Sequence, residues 1–404
     1  MKRFLMLALF VSLAASAPFA SPVRAEVAYE VVDLTEIWST THPLADSVET
    51  WEGTALNNTG DIGGTARTVD GGSFAFVWNE ATGFRDLSGI ASATEVTAMN
   101  ELGQVVVRNY GPSDLGSALL WSPTGELVPI IDNSGTHPDP GYITAYGMND
   151  LGQVVGRVLY EAETAGFFWD GSEFSVLHGL EGWVAPRHAV AYDVNNHGEV
   201  VGWVKPQEGQ PACAYSWSRS DSGEWVSQEL VGDVSAGIAR RVNDSGDIVG
   251  TCPSTNPDSI NPSLCRWTDE GFEELGGFNA GTIPRSINES GTIVGLTNSA
   301  TIIWSDDGEL EWLTDLTGYA YRWTETDRMQ VLNDLIEPMP VWKHLYEATA
   351  VNDFDFMLVR AQSLSPDVPG SRQFLLYPVP EPGVAWGLVV LFFTTIVIRT
   401  RRKQ

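Results

Sequence analysis

Met148-Asn149-Asp150-Leu151-Gly152-Gln153-Val154-Val155-Gly156, followed by Gly166-Phe167-Phe168-Trp169, is the stretch that decides the fold. Asn can hydrogen-bond its own backbone and Gly accepts a positive φ, so Asn-x-x-Gly reads as a hairpin turn. The apolar run after it reads as a buried strand, and the aromatic run ending in Trp as the next strand. The same block recurs at Leu56-Asn57-Asn58-Thr59-Gly60, Met99-Asn100-Glu101-Leu102-Gly103, Val194-Asn195-Asn196-His197-Gly198, Val242-Asn243-Asp244-Ser245-Gly246 and Ile287-Asn288-Glu289-Ser290-Gly291. A seventh copy, Val351-Asn352-Asp353-Phe354-Asp355, lacks the Gly. The Asn-to-Asn spacings are 43, 49, 46, 48, 45 and 64 residues.

A recurrence near 45 residues without helical periodicity marks a repeat architecture built from strands. Each unit offers four: one before the Asn turn, one after it, an aromatic one, and a last one beyond a second turn. The aromatic strands end in Trp78, Trp121, Trp169, Trp217, Trp267 and Trp304, and the last strands near Leu87, Val128, Leu177, Leu230, Leu275 and Leu313. The recurring Trp reads as a core residue between neighbouring units rather than a ligand platform. Four-stranded units of this length predict an all-β β-propeller of about seven blades, with six or eight as alternatives. Tyr29-Glu30-Val31-Val32-Asp33-Leu34 reads as a fourth strand with nothing before it. The seventh unit has three strands ending at Gln373-Phe374-Leu375-Leu376-Tyr377, so the N-terminal strand would complete it and remove an open edge. The long sixth spacing contains a second aromatic run, Tyr319-Ala320-Tyr321-Arg322-Trp323, read as a degenerate blade or an insertion.

These blocks resemble the HAF family of extracellular repeats over most of Tyr29 to Tyr377. The resemblance implies a secreted propeller without an assigned activity.

The two ends speak of export. Lys2 and Arg3 precede an apolar stretch from Phe4 to Ala15, and Val23-Arg24-Ala25 offers a cleavage site, so residues 1–25 read as a signal peptide. Ala17 and Ala20 are alternative cut sites. The repeat domain takes residues 26–378, and residues 379–404 form a tail. In that tail Pro380-Glu381-Pro382-Gly383 precedes an uncharged run to Ile398 and the basic cluster Arg399, Arg401, Arg402 and Lys403. Residues 383–398 reach roughly 24 Å as a helix, a short transmembrane segment whose basic flank stays cytoplasmic. The three parts resemble the PEP-CTERM sorting signal of Gram-negative bacteria. That resemblance implies a partner, an exosortase-type processing enzyme, and a route from an inner-membrane anchored intermediate to the cell surface or the exopolysaccharide matrix.

The formal charge is -29, and seven basic residues but no acid lie outside residues 26–382, so that span carries -36. Such a field repels nucleic acid and anionic lipid, so no nucleic-acid partner is expected, and it suits divalent cations or a cationic partner; exopolysaccharide or envelope components are the partners expected from the export route. Asn with an acidic neighbour hints at Ca²⁺, but the turns lack the alternating Asp ladder of calcium loops, so turn chemistry is the reading and no cofactor or metal is assigned. Cys252 and Cys265 flank a Pro-, Asn- and Ser-rich loop and are candidates for a disulfide, with Cys213 left over.

No catalytic residue is assigned. The histidines are scattered, with no His-Glu-x-x-His, no Gly-x-Ser-x-Gly, and no phosphate loop or dinucleotide fingerprint. His178 and His188, which flank Trp183, read as solvated loop positions. The leading expectation is a non-enzymatic binding or structural module of the surface or matrix. The alternative is a polysaccharide-active hydrolase or lyase, which requires acids and a His to converge at one mouth of the central channel.

Overall fold

A computed structural model describes residues 29–379, apart from the connecting stretches 88–92, 110–117, 132–141, 161–163, 180–187, 206–210, 231–235, 257–260, 278–280, 299–300, 305–309, 314–317, 340–343 and 364–370. The expected signal peptide, the expected sorting motif with its basic cluster, and the expected transmembrane segment lie outside the described residues. No helix among the described residues is long and apolar enough to cross a membrane.

The chain folds into consecutive four-stranded antiparallel sheets, a propeller-like all-β arrangement. Blade 1 takes Val48–Leu56, Ile62–Thr68, Ser73–Asn79 and Gly83–Asp86; blade 2 takes Ala93–Met99, Val105–Asn109, Ala118–Trp121 and Leu127–Ile130. Blade 3 takes Tyr142–Met148, Val154–Leu159, Thr164–Trp169 and Phe174–Leu177; blade 4 takes His188–Val194, Val200–Lys205, Cys213–Arg219 and Trp225–Glu229. Blade 5 takes Ile238–Val242, Ile248–Pro253, Pro262–Thr268 and Gly271–Gly276. One parallel bridge, Thr164 to His188, joins blades 3 and 4 into a single sheet.

Blade 6 corrects the sequence reading. Its strands are Gly281–Ile287, Ile293–Asn298, Ala320–Thr324 and Arg328–Val331. Among the described residues Thr301–Trp304 and Leu310–Leu313 pair only with each other, as a hairpin inserted between the second and third strands. Trp304 and Leu313 therefore do not hold the places expected of them. Register explains the choice. In blades 1 to 5 the strand-ending Trp pairs with the first residue of the second strand: Ile62 with Trp78, Val105 with Trp121, Val154 with Trp169, Val200 with Trp217 and Ile248 with Trp267. In blade 6 the partner of Ile293 is Trp323. The long sixth spacing is an insertion into a complete blade.

The last blade is closed by both ends of the chain. Its strands are His344–Val351, Met357–Gln362, Ser371–Pro378 and, outermost, Tyr29–Asp33, which runs antiparallel to Ser371–Pro378 from Tyr29–Pro378 to Asp33–Phe374. The N-terminal strand stops one residue earlier than read. Asp33 caps a helix, Leu34–Thr41, its side chain accepting from the Glu36 N–H at 2.9 Å. Trp38 on that helix is fully buried against Trp51, Phe76 and Trp78 of blade 1. Gln373, also fully buried, ties blade 7 to blade 1: its side chain accepts from the Gly53 N–H at 3.1 Å and donates to the Val359 carbonyl at 3.1 Å.

The core lies between blades. One cluster joins Ala75 and Val77 of blade 1 to Val96, Val105, Val107 and Trp121 of blade 2. Another joins Val155 and Phe168 of blade 3 to Val200, Tyr215 and Trp217 of blade 4. The recurring Trp is 1 to 6 % exposed in blades 1 to 6, so it is a packing residue. Cys252 and Cys265 are joined in blade 5, diagonally across its second and third strands, with Cα atoms 6.0 Å apart. Cys213 is free of a disulfide and half-buried.

Candidate functional site at the central axis

The first strand of each blade touches the first strand of the next, so these strands surround the axis. Their Asn turns meet in a closed circuit. The Asn57 amide Nδ2 donates to the Asn100 carbonyl, Asn100 to Asn149, Asn149 to Asn195, Asn195 to Asn243, Asn243 to Asn288, Asn288 to Asn352, and Asn352 back to Asn57, at 2.8 to 3.3 Å. Each Asn is buried. Its side-chain oxygen accepts from its own turn, as Asn195 does from the N–H groups of His197 and Glu199. The sequence motif is thus both a turn and a joint between blades. In the seventh copy Asp355 takes the missing Gly's place, with φ of 57°, a conformation that Asp tolerates better than most residues.

A second circuit runs through the next residue of each turn. The backbone N–H of Asn58 donates to Glu101, Glu101 to Asp150, Asp150 to Asn196, Asn196 to Asp244, Asp244 to Glu289, Glu289 to Asp353, and Asp353 to Asn58, each time to a side-chain oxygen at 2.7 to 2.9 Å. Five of the seven are carboxylates. The Asn196 amide bridges Asp150 and Asp244, and the Asn58 amide reaches Asp353. Burial pushes Glu101 from its ordinary 4.5 up to about 7; the Asn58 N–H opposes this, and the neighbouring Asp150, Asp353 and Asp61 add to it. Glu289 is raised in the same way, chiefly by burial. No group of three or more His, Cys, Asp or Glu among the described residues is arranged to hold a metal ion. Acids therefore converge at one end of the axis. His197, at the exposed tip of the blade 4 turn, stands at the same end.

These shifts carry a pH dependence. Between about 4.5 and 7 the folded chain holds a proton on Glu101 that the unfolded chain has released. Stability therefore falls as pH rises through that window and stays lower above it. Glu101→Gln keeps the oxygen for the Asn58 N–H and removes the titration. Its thermal midpoint is expected to gain about 1–3 °C on wild type at pH 8 and nothing at pH 5, the effect being small because the carboxyl is partly exposed. Equal gains at both pH values would contradict the assignment.

Farther along the axis, each first strand carries a β-bulge three residues before its Asn. The register skips Thr54, Thr97, Tyr146, Tyr192, Arg240, Arg285 and Thr349. A bulge re-aims the extra residue and bends its strand. Some second-strand glycines lie hard against these first strands: a Cβ on Gly202 would sit 1.9 Å from the Val190 carbonyl oxygen, and one on Gly156 2.1 Å from that of Thr144. Close approach of this kind accounts for the Gly that closes Val-Val-Gly in blades 3 and 4.

The bulged residues divide the circle into two arcs. On blades 7, 1 and 2 they are threonines that brace the wall: Thr349 donates to the Gly53 carbonyl at 3.2 Å and Thr54 to that of Val96 at 3.0 Å. On blades 3 to 6 they are large. The rings of Tyr146 and Tyr192 lie 5.4 Å apart. The Arg240 guanidinium stands 5.4 Å from the Tyr192 ring centroid, and Arg157 stands 6.0 Å from that of Tyr146. Arg285 pairs with Glu347 at 2.8 Å, and Glu347 with Arg360 at 3.3 Å. Asp193, beside Tyr192, accepts from the Val242 N–H at 3.2 Å; burial pushes its carboxyl up to about 6 against the pull of Arg241. Asp193 and Arg241 keep some water-accessible surface while enclosed by chain, as groups lining an axis do. His178 lies just past the last strand of blade 3 and His188 opens the first strand of blade 4; Trp183 lies outside the described residues.

No family model and no curated protein matches this chain. Solved structures match at the level of fold. Acylaminoacyl peptidase from Pyrococcus horikoshii shares 10% identity at a TM-score of 0.50, over 81% of this chain and 51% of that one. A prolyl endopeptidase, from a study of two such enzymes, shares 12% identity at a TM-score of 0.50, over 86% and 53%. TolB from Acinetobacter baumannii shares 10% identity at a TM-score of 0.40, over 64% and 58%. The chain thus spans about half the length of the peptidases it matches. At these identities the likeness is one of propeller fold.

Proposed function

We propose that this chain is an exported, non-enzymatic binding module of the cell surface or extracellular matrix, delivered by an exosortase-type sorting signal. The observation that carries the binding role is the unequal bulge ring. A purely structural axis would need only the bracing threonines of blades 7, 1 and 2, whereas blades 3 to 6 place two tyrosines and two arginines at that position of the ring. The delivery role rests on Pro380-Glu381-Pro382, the apolar run and the Arg cluster. Seven blades closed by the N-terminal strand suit that task, because a closed ring keeps its surface without the tail.

The test is expression of the full chain in a host with an exosortase. Wild type should appear at the surface or in the matrix fraction with the tail removed. Glu381→Ala should stay membrane-bound at the unprocessed mass, and identical masses for the two would overturn the delivery reading.

One observation favours the second reading, a polysaccharide-active hydrolase or lyase. Glu101, protonated up to about pH 7, neighbours Asp150 in the carboxylate circuit, and an acid held protonated near neutrality is what glycoside cleavage uses. Release of reducing ends from a matrix polysaccharide, abolished by Glu101→Gln, would establish it.

A further inference from the structure

We infer that the arc formed by Tyr146, Tyr192, Arg240 and Arg285 is a binding site for a sugar unit bearing a single carboxylate. The inference rests on the binding-module reading above and names its ligand class.

The first ground is local charge. The chain carries -29 overall, yet Arg157, Arg240, Arg241 and Arg285 gather around blades 3 to 6. Arg240 makes no ion pair among the described residues, and its buried Nε has no hydrogen-bond acceptor there. Burial lowers its pKa; Tyr192, which hydrogen-bonds it, opposes this, and the like charges of Arg241 and Arg285 add to the lowering. Asp193 and Glu347 are engaged elsewhere, facing Arg241 and Arg285. A guanidinium keeps its charge even so, and a buried cation without a counter-charge is costly. An anion placed against Arg240 would relieve that cost, and a carboxylate matches the guanidinium fork.

The second ground is the aromatic pair. Tyr146 and Tyr192 meet at a tilt of 54°, presenting apolar ring surface beside the cations. A sugar ring offers an apolar face to aromatic surface and hydroxyls to polar groups, so one ligand unit can use both features. Water reaches the arc, since the Arg285 side chain is 40 % exposed.

The third ground limits the ligand. The domain's negative field repels a densely charged polymer at long range. The cations act at short range, within a Debye length of about 8–10 Å. An isolated carboxylate on an otherwise neutral glycan satisfies both conditions, while a polyuronate or a nucleic acid does not.

The experiment is calorimetric titration of the purified protein with methyl glucuronide, methyl glucoside, acetate, inorganic phosphate and oligo-uronate. Methyl glucuronide should bind, and methyl glucoside and acetate should each bind at least about tenfold more weakly, a difference of about 1.4 kcal/mol. Arg240→Gln and Tyr192→Leu should each weaken methyl glucuronide about tenfold or more, with unchanged circular dichroism showing that they fold. Thr97→Val, in the opposite arc, should bind as wild type does. Equal binding of glucuronide and glucoside, tighter binding of phosphate, preference for the oligomer, or no glucuronide binding would each overturn the inference. Retention of the Arg240→Gln protein by native matrix at wild-type level would overturn this site alone. Failure of wild type to bind either matrix or sugar would overturn the binding-module reading as well.

Discussion

Removal of Tyr29–Asp33 is expected to lower the thermal midpoint by roughly 10 °C or more and to broaden the transition. The strand supplies the outer edge of blade 7, paired over five residues with Ser371–Pro378. Its loss exposes the open edge of that strand to pairing with other chains. It also uncovers part of the core, since Tyr29 and Val32 are buried and Tyr29 packs with Leu335, Leu345, Phe374 and Leu376. Two polar contacts go with it. The Tyr29 hydroxyl accepts from buried Arg322 at 2.8 Å, and Asp33 pairs with Arg372. Burial of two large side chains at about 1.5–3 kcal/mol each, plus a buried charge losing one of its acceptors, adds to about 5 kcal/mol or more. Calorimetry on the truncated and intact domains measures this, and an unchanged midpoint would refute closure by the N-terminal strand.

Asn195→Ala should cost about 3 kcal/mol although it removes only a small side chain. The Asn195 amide satisfies the Asn243 carbonyl of the next blade, and its oxygen satisfies the N–H groups of His197 and Glu199. Asn195 is 4 % exposed, so water does not readily replace these bonds. A buried group left unpaired costs about 1–3 kcal/mol, and three partners are affected to different degrees. Denaturant unfolding should show a lower midpoint with an unchanged slope. Ser245→Ala, at the exposed tip of the neighbouring turn, is the control and should lie within about 0.5 kcal/mol of wild type. If the two variants behave alike, the circuit is not a source of stability.

The blade plan was legible because each of its signals is local. Asn, Gly and the run between them set a turn, the apolar run a strand, and Trp a packed third strand. The missing outer strand of blade 7 could be inferred from a surplus strand at one end and a deficit at the other. Blade 6 misled because Ile302-Ile303-Trp304 carries the same local pattern as Tyr321-Arg322-Trp323. The pairing of Trp323 with Ile293, a long-range register, decides between them. The helix at Leu34–Thr41 was missed because its Thr- and Ser-rich sequence has weak intrinsic helix propensity; the Asp33 cap and the burial of Trp38 support it.

The site was less legible than the fold. Asn was read correctly as turn chemistry, but nothing within one turn reveals that its amide reaches the next. The carboxylate circuit has the same origin, since its members stand 43 to 64 residues apart except where the ring closes. The bulges left a faint trace in Val-Val-Gly, but Val107 and Val359 stand in place of that Gly in blades 2 and 7, which are bulged nonetheless.

Because Tyr29 faces Pro378 on adjacent strands, the two ends of the folded chain meet at the rim of one blade. A short peptide across that gap would make the backbone a circle, and the circle could be cut elsewhere. A permutant opened between blades 2 and 3, within residues 132–141, would keep every strand pair and every link of both circuits. The place where the polypeptide starts is then an accident of covalent connectivity, and segments attached at either end leave what the axis presents unaltered.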